Sequence, residues 1–586
     1  MKELFLNLWL WSNKNDKYKF IMVLVLTIAS SFLEVISIGM VIPLITVLIN
    51  PEAVINFSIL KDIFNFFRLT NTEEIIHIIV LAFIVITIIS AAIRILSIKV
   101  SAEFAFALGN DLSVRAYQNI LRRPYVNHKD VNSSADVSKL VSKINTIIQS
   151  LIFPSIMLMS AIFMFFVIVI VFLFVNFLMT LVVVAGIVCI YLMVTQFFKK
   201  KLKNNSEVIN SMYDEHVKAI QEGVGNIQDT ILNNSFEYFI NLYKGIDRKL
   251  RMRQASNIVI SQAPKYIIES ASIIFLIAFA YYLVFLSQSV SKEMLLPIFL
   301  TIAIAMQRIL PIAQQAYRSW ASISGNKKSL QEVMNLVKEV GDSVEIVEKQ
   351  DIVFNNNIEL VNVSFKYPSS DYFSLQNINL KIKKGQRVGF IGGTGGGKST
   401  IIDLIMGLLV PSKGEIKVDG VTLEVGNIDS WYKRISHTPQ SVFLLDGTIY
   451  ENIATGNPIT FKNKLKIENA GKLACIDEFL ISKPQGYNLN IGERGSKLSG
   501  GQRQRVGLAR CIYKKSNLIV LDEATSALDN KLEKKLMSNI YNLDKGHTIL
   551  IIAHRLNTLI GCDQVVELSN GRIKRTGTYN DIIGKE

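Results

Sequence analysis

Cysteine is nearly absent from this chain, with four in 586 residues. Cys189 lies inside an apolar run, while Cys475, Cys511 and Cys562 stand apart with no metal-ligand spacing, which excludes a cysteine-built metal cluster. They read as reduced thiols facing the cytosol. A cleavable signal is not expected either, because the first long apolar run is about 30 residues, beyond a signal's apolar core, and no small-residue cleavage site follows. Acidic residues fall short of basic ones, 48 against 63, for a net charge of +15. Such an excess suits nucleic acid, but here the cations crowd the segments between apolar runs, as in the cytoplasmic loops of membrane proteins. No nucleic-acid partner is therefore expected.

Hydrophobicity is what the chain has in excess. Half of its residues are apolar and aromatic or sulfur types of that class, and its mean hydropathy is +0.33, too high for an all-soluble protein. Six runs, at residues 20–49, 75–98, 148–174, 177–198, 258–286 and 294–316, are each long enough to cross a bilayer. Residues 110–144 carry Arg115, Arg122, Arg123, Lys129, Lys139 and Lys143, and residues 199–254 are equally basic, whereas Val175-Asn176 has no cation and 287–293 only Lys292. This asymmetry places both termini in the cytoplasm and the chain in the inner (plasma) membrane, among membrane lipids. The spans are expected to continue as helices beyond the bilayer. Their inner tips, near Arg123-Pro124-Tyr125 and at 223–229, are candidate coupling helices. Residues 2–12 read as an interfacial helix, and the apolar 50–74 as a segment on the outer leaflet or over a cavity mouth.

A polar, helix-prone linker at 325–355 divides a membrane domain, 1–324, from a soluble domain, 356–586. In the latter, strands are expected near 358–367, 386–391, 518–521 and 548–552, interleaved with helices. The fold class is thus a polytopic α-helical membrane domain of six spans fused to a P-loop α/β nucleotide-binding domain. Gly392, Gly393, Thr394, Gly395, Gly396, Gly397, Lys398, Ser399 and Thr400 follow one strand and open a helix, the context of a phosphate-binding loop. There backbone N–H groups converge on phosphates, Lys398 adds charge, and Ser399 offers a hydroxyl to Mg²⁺. Leu518-Ile519-Val520-Leu521 closes on Asp522, a candidate Mg²⁺ ligand, and Glu523, a candidate for polarising the attacking water.

Leu498-Ser499-Gly500-Gly501-Gln502 lies between these motifs. Together with Gln440 in TPQ, Ser526 to Asp529, and His554 in AHR, the set resembles the ATP-binding cassette transporters over essentially the whole chain. The resemblance implies that Tyr367 stacks on adenine, that Gln440 contributes to the metal site and couples nucleotide to the membrane helices, and that His554 contacts the γ-phosphate of ATP. It also implies that Ser499, Gly500, Gly501 and Gln502 of a second chain close each site, hence a homodimer on a two-fold axis; a heterodimer is the other possibility. Fused domains, spans first, and Gly492-Glu493-Arg494-Gly495 resemble the exporter type. No peptidase domain precedes the spans, which weighs against a processing peptide exporter.

Charges inside the spans bear on the cargo, since each is costly unless paired or facing water. Glu34, Arg94, Lys265, Glu269 and Arg308 stand in such positions. Either they pair and hold the bundle together, or they line a cavity. Ser31-Phe32-Leu33-Glu34, Pro264-Lys265 with Glu269, and Arg308 with Pro311 resemble the bacterial lipid-linked oligosaccharide flippase of protein N-glycosylation. That resemblance implies a polyprenyl-pyrophosphate glycan bound by Arg94, Lys265 and Arg308; lysine at 265 keeps the family's charge but loses a bidentate fork. The alternatives are a lipid A or phospholipid flippase, a hydrophobic drug exporter with little fixed charge in its cavity, and a non-transporting regulatory ATPase.

Overall fold

The computed structural model describes residues 13–40, 72–130, 133–175, 177–281, 292–338 and 351–584, apart from 369, 545 and 554. The proposed interfacial helix at 2–12 and the outer segment at 50–74 fall outside these residues, save for the last three of the latter, which begin a helix. Two compact units are present: Met1–Arg123 with Val131–Ser343, and Pro124–Asp130 with Val344–Glu586.

The first unit is built of very long helices. α1 is Lys14–Gly39 and α2 is Thr72–Arg122. After the short α3, Tyr125–Asp130, comes α4, which runs from Ser133–Ser138 through π-helical turns at Lys139–Lys143 and Ile148–Ile152 to Phe153–Val175. α5 is Phe177–Gly225, α6 Ile227–Leu232, α7 Phe236–Tyr281 and α8 Lys292–Lys338. At 1.5 Å per residue, the 51 residues of α2 extend about 75 Å, more than twice the hydrocarbon thickness. Lys14–Ser37, His77–Arg122 and Ser134–Phe174 are apolar and long enough to cross a membrane. α3 and α6 sit where the sequence suggested coupling helices. α8 carries the chain without a break through residues 325–338, the first part of the linker.

Beyond the apolar runs, buried side chains knit these helices together. Phe104, Leu108 and Leu112 of α2, Ile144, Ile147 and Leu151 of α4, and Val333 and Leu336 of α8 form one core. At its edge Lys143 has no solvent exposure and donates to Asp214 on α5 at 2.8 Å and to Glu332 on α8 at 2.6 Å. Asn210 holds the other Glu332 oxygen at 2.6 Å. Burial raises the Glu332 pKa, but the Lys143 and Asn210 hydrogen bonds and the Lys143 charge outweigh it and hold the carboxyl below its usual range.

Among the described residues, the second unit contains ten strands in two sheets. β1 (Asn357–Phe365), β2 (Leu375–Lys383), β4 (Lys413–Val418) and β5 (Val421–Thr422) make an antiparallel sheet in the order β2-β1-β4-β5. β3 (Arg387–Gly392), β6 (Ile435–Thr438), β7 (Leu518–Asp522), β8 (Thr548–Ile552), β9 (Gln564–Ser569) and β10 (Arg572–Gly577) make the other, in the order β10-β9-β3-β8-β7-β6. Within it β9, β3, β8, β7 and β6 are mutually parallel. Leu518 and Val520 enter the core on one face while Ile519 and Leu521 enter the core on the other, so this sheet is covered on both sides, as parallel sheets require. The four strands expected from sequence are β1, β3, β7 and β8. β2 alternates between buried and exposed positions, β10 is mostly exposed, and β5 has two residues, so none of them presents the apolar run that marks a central strand.

Candidate nucleotide site

The C-terminal ends of the parallel strands converge on one edge, where ligands bind in open α/β sheets. β3 ends in the glycine loop, and α9, Lys398–Ile405, begins directly after it. β8 leads to Ala553, β7 ends at Asp522-Glu523, and β6 leads to Gln440. Because β8 lies between β3 and β7, the loop and the two acids flank a single strand.

The loop's shape demands glycine at two points. Gly392 has φ +144°, and a Cβ there would stand 2.2 Å from the Leu568 carbonyl oxygen; Gly397 caps α9 at φ +99°, where a Cβ would meet the Leu375 side chain at 2.6 Å. Lys398 is 8% exposed and curls back so that Nζ donates to the carbonyls of Gly392 and Gly393, at 2.8 and 3.0 Å. Ser399 is exposed in the first turn and Thr400 is buried. The Tyr367 hydroxyl lies 3.4 Å from Thr400 Oγ1, and its ring packs against Phe365 at 4.8 Å between centroids in a T-shaped pair.

Glu523 takes φ +49°, a left-handed conformation uncommon outside glycine, and its amide donates to the Ile552 carbonyl at 3.1 Å. Strain of this sort concentrates at functional sites. The turn brings Glu523 Oε2 to within 2.8 Å of Gln440 Nε2, so two residues 83 apart in sequence meet. The Gln440 amide nitrogen is engaged, and its carbonyl oxygen, like the Ser399 hydroxyl and the Asp522 carboxylate, is a hard oxygen donor of the kind Mg²⁺ takes. Among the described residues no group of three His, Cys, Asp or Glu forms a metal cluster. A single carboxylate fits Mg²⁺, which keeps waters and phosphate oxygens as its remaining ligands. His554 lies outside the described residues.

Ser499 caps α10, Gly500–Tyr513, through a reciprocal box: Gln502 N donates to Ser499 Oγ at 3.3 Å and Ser499 N to Gln502 Oε1 at 2.9 Å. Gly500 and Gly501 form the first turn, with a Cβ on Gly501 standing 2.9 Å from the Ala527 carbonyl oxygen. Ser499 to Gln502 therefore present a helix N-terminus, an anion-favouring end, packed on the segment after Glu523. Two further residues connect these parts. Gln504 Nε2 donates to Ser526 Oγ at 3.0 Å, and its Oε1 accepts from Ala527 N at 3.0 Å. Arg555 reaches the Leu528 carbonyl at 3.1 Å and Glu533 at 2.7 Å, Glu533 sitting on α11, Asn530–Tyr541. Gln504 stands two places after the Leu498 to Gln502 motif, and Arg555 is the last residue of AHR, in which the resemblance assigns a role only to His554.

A family model described as the ABC transporter matches residues 375–526, and one described as the ABC transporter transmembrane region matches residues 20–310. The chain is an ABC transporter. In curated relatives, similarity is strongest over part of the chain. A Staphylococcus aureus (strain NCTC 8325 / PS 47) protein, provisionally named a multidrug export ATP-binding/permease protein, is 38% identical over 255 residues, 43% of this chain and 44% of that protein. ABC transporter B family member 29, chloroplastic, of Arabidopsis thaliana is 39% identical over 217 residues, 37% of this chain and 34% of that protein. The matched segment thus spans less than half the length of either relative. A solved bacterial Atm1-family ABC exporter with ATP bound has a TM-score of 0.81 at 19% identity, covering 98% of this chain and 97% of that one. That likeness shows the fold, and together with the two family matches it gives an exporter-type transmembrane domain joined to a nucleotide-binding domain, in a multi-pass membrane protein.

In the helical unit of this ABC transporter the intramembrane charges are paired. Arg308 on α8 donates to Glu34 on α1 at 2.7 Å, and Arg94 on α2 approaches the other Glu34 oxygen at 3.8 Å. Glu34 is 4% exposed, while the Arg94 and Arg308 side chains are 41% and 34% exposed. Lys265 lies 3.7 Å from Glu269 one helical turn on, and Glu269 also accepts from Gln314 on α8 at 3.3 Å. Arg94 and Arg308 therefore meet at one carboxylate, and Lys265 forms a separate pair.

Proposed function

We propose that this chain is one half of a homodimeric exporter, in which ATP binding and hydrolysis drive hydrophobic or amphipathic compounds out across the membrane. The observation that carries this reading is the meeting of the glycine loop, Gln440 and the Asp522-Glu523 turn at one edge of the parallel sheet, in a chain whose other unit is a bundle of membrane-length helices. The inner membrane holds it, with the nucleotide-binding domain and both termini in the cytoplasm. The domain limits are those of the sequence: 1–324, a linker at 325–355, and 356–586.

Each residue has a role in that reading. Tyr367 stacks on the adenine, and the loop amides from Gly393 to Thr400 with Lys398 bind the β- and γ-phosphates. Ser399, Gln440 and Asp522 would hold Mg²⁺, which would supply positive charge against the phosphate oxygens. Glu523 orients and polarises the attacking water, and Gln440, hydrogen-bonded to it, relays the state of the site. His554 contacts the γ-phosphate. Ser499 to Gln502 of the second copy close the site with a helix N-terminus, so the loop is half a site until two chains meet.

The name of the Staphylococcus aureus relative supports drug export. A second reading, a flippase for a lipid-linked glycan or another lipid with an anionic head, draws on one feature: two guanidiniums share Glu34, leaving a positive charge over at a half-exposed place. Proteoliposomes offered a hydrophobic drug, lipid A and a polyprenyl-pyrophosphate glycan separate the two. Movement of the drug alone supports the first, movement of an anionic lipid supports the second, and hydrolysis with no movement of any would overturn both in favour of a regulatory ATPase.

A further inference from the structure

α3 belongs to the α/β unit although it lies between two membrane spans in sequence. Tyr125 and Val126 rest on the core that includes Phe390, Ile401 and Ile405. From α3, Lys129 extends its ammonium to 2.9 Å from Asp403 Oδ2. The same Nζ lies 5.0 Å from the centre of the Tyr125 ring and 5.5 Å from that of Tyr367, within the range of cation–π attraction. Asp403 is 8% exposed and sits on α9, the helix that leaves the glycine loop. One cation thus joins a buried carboxylate on that helix to the aromatic ring beside Thr400. Burial works against the Lys129 charge, but the Asp403 hydrogen bond and charge outweigh it and raise the pKa, so the ammonium stays charged at neutral pH.

We propose that Lys129 is a positioning residue for the base of the bound nucleotide, acting through Tyr367. This rests on the reading of Tyr367 as the ring that stacks on adenine. The ring is held by Phe365, the Thr400 hydroxyl and the Lys129 ammonium, and a ring already fixed loses less freedom when a base stacks on it. The phosphate contacts come from the loop backbone and Lys398, which Lys129 does not touch. Its loss should therefore weaken recognition of the base and spare that of the phosphates.

The test uses full-length protein in detergent and a fluorescent ATP analogue, displaced in one series by AMP-PNP and in another by inorganic tripolyphosphate. Lys129→Met should weaken AMP-PNP by about fivefold to twentyfold while leaving tripolyphosphate within about twofold, and Lys129→Arg should restore AMP-PNP binding. Lys129→Met alone strands the Asp403 carboxylate, so the double variant Lys129→Met/Asp403→Asn, which buries no lone charge, should show the same base-specific loss. Equal weakening of both ligands, or no weakening of either, overturns the proposal. Failure of the wild-type protein to bind the fluorescent analogue instead overturns the nucleotide reading on which it rests.

Discussion

Lys143 and Glu34 in the helical unit and Glu523 in the α/β unit are charges placed for different ends. In the helical unit, Lys143 and Glu34 are buried ions, each held by two groups of opposite sign on other helices. In the α/β unit, Glu523 stands at the end of a strand in a strained turn, in contact with the neutral amide of Gln440. The first arrangement fixes helices relative to one another, since removing one partner of a buried pair leaves a charge without compensation. The second keeps a carboxylate at an open edge, where it can act on a ligand. Within the helical unit there is a second contrast. The Lys143 cluster holds two carboxylates to one cation, whereas the Glu34 cluster holds two cations to one carboxylate; in each the central ion is buried and its partners are partly exposed.

Four changes break or sharpen this contrast. Glu523→Gln should reduce ATP hydrolysis by at least about a hundredfold and leave ATP binding intact, measured by phosphate release and by nucleotide binding; substantial turnover would remove the water-polarising role. Lys143→Met should destabilise the helical unit by about 3 to 5 kcal/mol, read as a lower thermal unfolding midpoint in detergent, and adding Glu332→Gln should recover part of the loss. A smaller effect separates the two arginines. Arg308→Ala strips Glu34 of its 2.7 Å partner and should cost about 1 to 3 kcal/mol, while Arg94→Ala keeps that bond and should lower export of an anionic amphiphile with little change in unfolding midpoint. If Arg94→Ala leaves such export untouched, both arginines serve the fold.

The smallest effect is in pH. The Glu332 carboxyl is held below its ordinary value of 4.5 in the folded chain, so it contributes stability that is fully present above that value. The contribution is lost as pH falls from about 4.5 through the depressed folded value. Glu332→Gln should flatten the unfolding midpoint in that acidic window relative to the wild type, and an unchanged slope would exclude Glu332 as its source.

Some of this was legible in the chain itself. Gly392 to Thr400 is confined by backbone conformation and by the close approach of Leu568, so few other residues fit and the motif can be read directly. The apolar runs were legible for the same kind of reason, since bilayer thickness sets their length. β2, β5 and β10 were not, because short or half-exposed strands depend on the neighbours they pair with rather than on their own pattern. Gln504 and Arg555 were also missed, because their value lies in what they reach across space.

By itself, then, the sequence determined the two-part architecture, the glycine loop, the acids that end β7 and the basic segments between apolar runs, all fixed by local backbone chemistry or by the solvent each segment must face. Only the tertiary structure decided that Gln440 meets Glu523, that Glu34 gathers both Arg94 and Arg308 while Lys265 stands apart, and that a helix from between two spans is part of the α/β unit through Lys129 and Asp403. Those are encounters between residues tens to hundreds of positions apart, and the pairing of buried charge depends on distances that no local pattern encodes.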